Sequence, residues 1–499
     1  MALRKLLFVV VLFAALPAFS QTAAFNDPCK KAFDHITALE LEKATYILEN
    51  QKRAHTDNTV ICFLEDFIDF LKVFISEEDK LYEQALDKRK ERLARIEELP
   101  DDNPYRSYMK GEIYLHWASV RGKMGDRLSA ALELNKAYRL LRDNQRNHPG
   151  FLPGKAGMGV IEVLIGTIPD KYNWVKTLLN LKGTVEGGRA RIASLLEKAS
   201  EDTAYAYLKQ PTLFMLSFIE LNTRHNIDRA LMQRYRRLDS AGILAEEPLM
   251  IFSYANLLQK KQANEETLRV LEYYSPSEQR YPFYYLDYMK GLAYLYKNSE
   301  RCIHFFDRYL ERFNGRHYIK SSYQKMAWYY LLNGDTARYH NYIYFAAKRG
   351  YAVLGADKSA MKEAEEKAIP NVALLEARLA FDGGYFDGAW KALAGFQKQG
   401  APRKSVTEWY YRRGRILHET EKYQGALSYY DTAFRKGKDL DAYFAANAAL
   451  MSGRVYEELG NKQQARQQYE RCLELSGFDY ELSIHQKAEA ALLRVEGSK

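Results

Sequence analysis

Arginine recurs at Arg378, Arg415 and Arg454, and each is followed four residues on by a carboxylate: Asp382, Glu419 and Glu458. Two chemistries follow from that spacing. A guanidinium offers a planar fork of donors suited to a carboxylate or another anion. An arginine and an acid four apart on a helix also close on each other, at about a few tenths of a kcal/mol per exposed pair. Pairs that weak exchange partners. A column of anion sites and a self-neutralising ladder therefore both stay open.

The other chemistry-bearing residues carry less. Gly154-Lys155-Ala156-Gly157-Met158-Gly159 lacks a preceding strand and a closing Lys-Ser/Thr, so it is no phosphate loop. The ten histidines form no H-E-x-x-H and no short pair with a carboxylate at zinc-ligand spacing. His304 and His340 lie 36 residues apart, and equivalent repeat positions explain them without a metal. There is no G-x-S-x-G elbow and no cysteine–histidine set in a nucleophile's context. Cys29, Cys62, Cys302 and Cys472 avoid C-x-x-C spacing. Cys29 and Cys62 fall in one expected hairpin, where a disulfide can form in an oxidising compartment; the other two sit on core-type positions as small hydrophobes. No catalytic residue, cofactor or metal is expected, and an enzyme is not the expected class.

The elements that carry the arginines are repeats. From Thr407 the order is Tyr410, Gly414, Leu417, Tyr423, Ala426, Tyr430, Ala433. From Ala446 it returns as Ala449, Gly453, Tyr456, Leu459, Gly460, Ala465, Tyr469, Cys472. Small residues at the eighth and twentieth positions let two antiparallel helices approach closely, and large ones at the eleventh and twenty-fourth fill the wedge between hairpins. Gly334, Gly384 and Gly460 supply turns. This resembles the tetratricopeptide repeat family, whose repeats are about 34 residues long. Upstream, the eighth position is Ala377, Ala327, Gly291 and Ala255. The interval from Ala327 to Ala377 is 50 residues, and Met361 to Ala368 reads as a polar inserted helix that divides the array.

The resemblance implies an all-α, right-handed superhelical solenoid of antiparallel helix pairs, whose first helices line a concave groove. The arginines occupy the ninth position of three successive first helices. Tyr411 and His418 share that face. In the middle repeats Tyr285, Tyr288, Tyr296 and Trp328 fall on groove positions, where aromatics suit a protein interface or a sugar ring; core packing competes for each of them. The set is not the family's carboxylate clamp, which needs lysine and asparagine where Tyr411 and Arg415 stand.

The N-terminal half is helical by periodicity, at residues 30–51, 59–75 and 76–99. Tyr108-Met109-Lys110-Gly111 is echoed by Tyr288-Met289-Lys290-Gly291, and no segment alternates with period two. Seven glycines between Phe151 and Leu195 argue for close helix approach or for a ligand near the backbone. There GMGVIEVLIGTIPDKYNWVKTLLNLKGTVEGGRARIASLL is similar to a hairpin of a eukaryotic family of large tetratricopeptide proteins, associated with mitochondrial outer membranes and inclusion or lipid-droplet clearance. That likeness transfers no functional residue.

Arg4 and Lys5, apolar Leu6 to Ala15 and the small residues of Ala18-Phe19-Ser20 read as a secretory signal segment, cleaved before Gln21. No lipobox precedes Cys29. Net charge is 73 − 64 = +9, and acids interrupt the basic clusters, so they read as solvated helix faces rather than a nucleic-acid footprint. Val160 to Ile168 is too short to span a bilayer. The expected organisation is a signal segment at 1–20, a divergent helical region at 25–245 with the glycine-rich hairpin at 150–200, middle repeats at 246–350, an inserted segment at 351–369 and C-terminal repeats at 370–495. The expected function is an exported (periplasmic or secreted) non-catalytic scaffold that binds a protein or peptide partner in its groove. Alternatives are a carbohydrate-binding or nutrient-uptake accessory of the envelope, and a lipid-associated protein.

Overall fold

A computed structural model describes residues 21–168, 176–177, 180–224, 226–366 and 368–497. The signal segment and part of the glycine-rich hairpin lie outside them. The described residues form helices and no strand; an isolated bridge joins Thr22 to Asn58. The chain divides into two compact units, one of residues 1–74 and 79–158, the other of 75–78 and 159–499.

The first unit holds α1 (Asp27–Thr37), α2 (Leu41–Ala54), α3 (Val60–Ser76, to Phe74), α4 (Asp79–Glu97), α5 (Pro104–Met124), α6 (Arg127–Asn147) and the start of α7 (Gly154–Gly166). Asn103 caps α5 by accepting from the Tyr105 amide at 3.0 Å, and Gly125, at φ 93°, ends it. Gly111 meets α6 so closely that a Cβ would sit 2.6 Å from Leu141 Cγ. The unit buries ionisable groups in its core. Asp66 accepts the Trp117 indole N–H at 3.2 Å, and burial pushes its carboxyl up to about 7 against the pull of Arg92. Cys29 and Cys62 are both buried free thiols.

The second unit opens its helices with the rest of α7 and α8 (Val185–Glu201), where the glycines are explained by contact. A Cβ on Gly159 would lie 2.6 Å from Ile192 Cγ1 and 2.9 Å from the Gly188 carbonyl oxygen. Close helix approach accounts for both. Then follow α9 (Lys209–Thr223), α10 (Arg229–Ser240), α11 (Pro248–Lys260), α12 (Asn264–Glu272), α13 (Tyr285–Tyr296), α14 (Arg301–Arg312), α15 (Ile319–Leu332) and α16 (Thr336–Lys348). After α17 (Gly355–Glu366) come α18 (Val372–Asp382), α19 (Phe386–Ala394), α20 (Arg403–Glu419), α21 (Tyr423–Gly437), α22 (Phe444–Glu458), α23 (Lys462–Leu473) and α24 (Glu481–Glu496).

Helix pairs α11–α12 through α15–α16 and α18–α19 through α22–α23 pack as hairpins, an all-α helical-repeat solenoid. In each, the small residue of the first helix admits the second. Ala255, Ala327 and Ala377 are buried, Gly291 lies against the Phe306 ring, Gly414 against Tyr430 and Gly453 against Tyr469. Gly334, Gly384 and Gly460 make their turns at φ 79°, 80° and 75°, a region that favours glycine.

The inserted helix departs from the pattern. It begins at Gly355, earlier than the sequence implies, and packs on α15 and α16 in the place of a next first helix. Its Asp357 accepts from the Tyr318 and Ser321 amides at 2.8 and 3.0 Å, at the start of α15. Displaced by it, α18 packs on the first helices α13 and α15. The turn after α18 meets the turn after α11: Gln262 Nε2 donates to the Phe381 carbonyl at 2.7 Å, and Asn264 Nδ2 to the Tyr385 hydroxyl at 2.9 Å.

Because the Gly453 face is filled by a ring, Gly453→Val should cost about 1–3 kcal/mol of overpacking. Gly388, exposed on α19 with its nearest neighbours at 3.8 Å, should accept alanine with a gain of roughly 0.5–1 kcal/mol from helix propensity. Urea midpoints of both variants check the contrast; equal effects would refute the packing argument.

Candidate functional site

Three of the sequence-selected residues meet in one place. A cavity of about 200 Å³ is lined by Arg378, Phe381 and Asp382 of α18, Tyr411, Arg412 and Arg415 of α20, Asn447 of α22, and Tyr443 just before it. Its construction follows from the repeat. Ninth positions on neighbouring first helices place Arg378 and Arg415 side by side, and the fifth position of α20 places Tyr411 between them. The Asn371 cap fixes the start of α18, accepting from the Leu374 amide at 3.2 Å.

The guanidiniums are held by rings and loosely by acids. Arg415 lies 4.7 Å from the Phe381 ring and Arg378 4.9 Å from the Trp328 ring. Their intrahelical pairs are long, Arg378–Asp382 at 3.9 Å and Arg415–Glu419 at 3.6 Å. Arg412 is tighter, donating through Nε to Glu408 at 2.8 Å. The Tyr411 hydroxyl accepts from Arg415 Nη1 at 3.0 Å and from Asn447 Nδ2 at 2.7 Å.

The remaining selected residues lie around this cavity or apart from it. Arg454 borders Met451 Sδ at 3.8 Å, and Glu458, four residues on, reaches His418 Nε2 at 3.2 Å. His418 is buried, with Nδ1 3.2 Å from the Tyr430 hydroxyl. Trp328 is 2% exposed; its indole N–H donates to Glu363 of the inserted helix at 3.0 Å. Tyr288 is 3% exposed and shares a hydrogen bond of 2.9 Å with Ser321. The half-buried Tyr285 ring lies 4.8 Å from that of Tyr318, tilted by 44°. Tyr296 is half-buried beside Gly383 of the α18 turn. Trp328 and Tyr296 sit at a joint between the middle and C-terminal repeats, whereas Tyr285 and Tyr288 pack among rings of the middle repeats themselves. Sequence reasoning missed Arg412, Tyr443 and Asn447. Asn447 occupies the second position of its first helix, a groove position, and so was findable; Arg412, at the sixth, was not.

Trp328 is the pivot of that joint. Lys325 Nζ lies 3.6 Å from its ring centre, and Gln324 Oε1 accepts from the same amine at 2.7 Å. Burial pushes the Lys325 amine down to about 7; Arg378 adds to the effect, and Glu363, Asp382 and Asp357 oppose it. Among the described residues no group of three or more His, Cys, Asp or Glu is placed to hold a metal ion.

Residues 405–476, which span α20 to α23, match the model of the tetratricopeptide repeat family. The chain is thus an all-α helical-repeat protein whose C-terminal hairpins are tetratricopeptide repeats. No curated protein matches the sequence. The solved structures similar to it include the TPR domain of P58(IPK), at 14% identity and TM-score 0.22, covering 88% of this chain and 99% of that one. The APC/C hetero-tetramer Cut9-Hcn1 is similar at 12% identity and TM-score 0.26, with 94% and 97% covered. Naa15/Naa10 bound to HypK-THB is similar at 12% identity and TM-score 0.24, with 93% and 66% covered.

Lys325 titrates near 7 in the folded chain and at its ordinary 10.5 when unfolded. Between those values the unfolded chain binds more protons, so this group makes stability rise with pH from about 7 to 10.5, and below 7 its penalty stands in full. Lys325→Met should remove that slope. Urea midpoints of wild type and variant at about pH 6.5 and 9.5 test it: the variant should gain most at the lower pH, and an equal difference at both would contradict the assignment.

Proposed function

We propose that this chain is an exported, non-catalytic scaffold that holds a protein partner on the first-helix face of its C-terminal repeats. The observation that carries the reading is the cavity where Arg378, Tyr411 and Arg415 converge with Arg412 and Asn447. It opens on helices α18, α20 and α22, whereas the corresponding face of the middle repeats is covered by α17 and α18 of the chain itself. A peptide segment or a helix laid along first helices is the mode of recognition that such a face supports. A sugar-binding reading needs accessible rings, and Tyr288 and Trp328 are 3% and 2% exposed, which favours the protein partner.

Export rests on the basic, apolar and small-residue order of residues 1–20. No helix among the described residues is long and apolar enough to cross a membrane. N-terminal sequencing of the chain recovered from its native cell should begin at Gln21; a start at Met1 or Ala2 would remove the export reading.

The partner face is tested by a photo-crosslinking amino acid placed at exposed Glu419, with exposed Arg466 on the second helix α23 as control. A discrete protein adduct is expected from position 419 and not from position 466. Identical adducts at both, or none at 419, would defeat the reading.

A further inference from the structure

The geometry points to an oxyanion site in the α18–α20–α22 cavity, filled by a carboxylate of an acidic segment of the partner. It rests on the reading that the partner binds at this face, and it adds what the partner must offer there.

The donor count is the first support. The Tyr411 hydroxyl oxygen already accepts two N–H groups, from Arg415 and Asn447, so both lone pairs are used while its own proton has no acceptor among the described residues. Turning the Asn447 amide so that its oxygen accepts that proton frees the NH2 instead. Either way a donor is left over. Arg415 Nε is buried and also without a hydrogen-bond acceptor. Buried donors without partners are costly, and each is satisfied by the same thing, an acceptor entering the cavity.

Charge is the second support. The lining carries three guanidiniums, Arg378, Arg412 and Arg415, against one acid, Asp382. Glu408 is committed to Arg412 at 2.8 Å, and Glu419 reaches Arg415 only at 3.6 Å. Further cations lie on neighbouring helices, although Lys260 Nζ is already engaged, donating to the Leu221 carbonyl at 2.7 Å. Burial lowers the Lys487 amine of α24, and Arg454 and Arg415 lower it further. Burial likewise lowers Lys260 of α11; Glu220 opposes this, while Arg454 and Lys487 add to it. Arg415 of α20, Arg454 of α22 and Lys487 of α24 are thus within electrostatic reach of one another, which is the setting an anion relieves.

Size is the third. About 200 Å³ holds several waters at roughly 30 Å³ each, or one carboxylate or phosphate group with its first waters. Guanidiniums, a phenol and an amide are donors that fit either oxyanion, so a free phosphate and a partner carboxylate share the chemistry. The lining is drawn from three successive first helices, which favours a chain that continues along them.

The test titrates the purified chain by calorimetry, at ionic strength held constant with chloride, with inorganic phosphate and with a hexaglutamate peptide. Saturable binding of both, each displacing the other, is expected. Arg415→Gln should weaken it at least tenfold, and Tyr411→Phe, which removes only the hydroxyl, should weaken it several-fold, each with unchanged helical circular dichroism. Arg466→Gln on the second helix α23 should leave it unchanged. Phosphate binding that the peptide cannot displace would keep the oxyanion site but assign it to a free ion, overturning the partner carboxylate. Absence of saturable binding by the folded wild type, or wild-type affinity in both cavity variants, would overturn the site. The crosslink from position 419 separates the two readings: if it persists without oxyanion binding, the partner face stands and the anion chemistry falls; if oxyanion binding persists without the crosslink, the reverse holds.

Discussion

The second unit depends on one contact repeated along it, the aromatic ring of a second helix laid on a residue of the first helix that has almost no side chain. Tyr430 lies on Gly414, Tyr469 on Gly453 and Phe306 on Gly291. The rings are among the most deeply buried in the chain. Burying a ring of this size brings on the order of 2–3 kcal/mol, and the helices reach that close only where a Cβ is missing or is alanine's. A fixed distance between the two helices also fixes rotation about the first helix axis. One residue on from the small position, about 100° further round the helix, the side chain emerges beside the hairpin contact, where Arg378 and Arg415 line the cavity. That residue is arginine in three successive hairpins.

The break in the array has larger consequences than its length implies. The inserted helix α17 occupies the berth where the next first helix would stack on α15 and α16, and it pays its polar groups into that berth: Asp357 to two amides, Glu363 to the Trp328 indole, the Gln324 amide and the Tyr339 hydroxyl. The following first helix, α18, is left to pack across α13 and α15. Groove positions of the middle repeats become interior in consequence. Trp328 then meets Arg378 from one later repeat and Lys325 from its own helix, and a residue placed to greet a partner greets the chain.

How much of this is legible in the sequence depends on the range of the interaction. Contacts within a hairpin are legible, because the small residue and the ring recur at fixed spacing; the eighth-position set from Ala255 to Gly453, the turn glycines and the echo of Gly111 in Gly291 are all in place. The crowding of glycine near Gly159 and Gly188 is legible as close approach, since glycine inside a helix is costly without a neighbour to justify it. Tyr288 is buried among Phe306, Tyr309 and Tyr318 of its own repeats, as the core reading of the aromatics allowed, but the cover that α17 and α18 lay over Trp328 is not legible. It follows from where α18 lands, which is decided by the 50-residue interval between Ala327 and Ala377 and not by the residues that become covered. Arg412 was hidden for a related reason. At the sixth position it points between first helices, and only the actual angle between α18 and α20 turns that direction into a cavity.

The arginine column also shows why spacing alone could not choose between a ladder and a ligand site. An i, i+4 pair contributes a few tenths of a kcal/mol, roughly, where both groups are exposed, and such a pair holds its geometry only when nothing better is offered. Here the guanidiniums have something better. Phe381 and Trp328 take the flat faces of Arg415 and Arg378, an interaction worth about 0.5–2 kcal/mol according to how far it is desolvated. Both guanidiniums line one cavity, with their own acids no nearer than 3.6 and 3.9 Å. In the third repeat the acid also reaches across to His418 of the neighbouring first helix. A ladder would pull each arginine down along its own helix; here each lies on a ring of a neighbouring helix, and both line the one cavity where the donors gather.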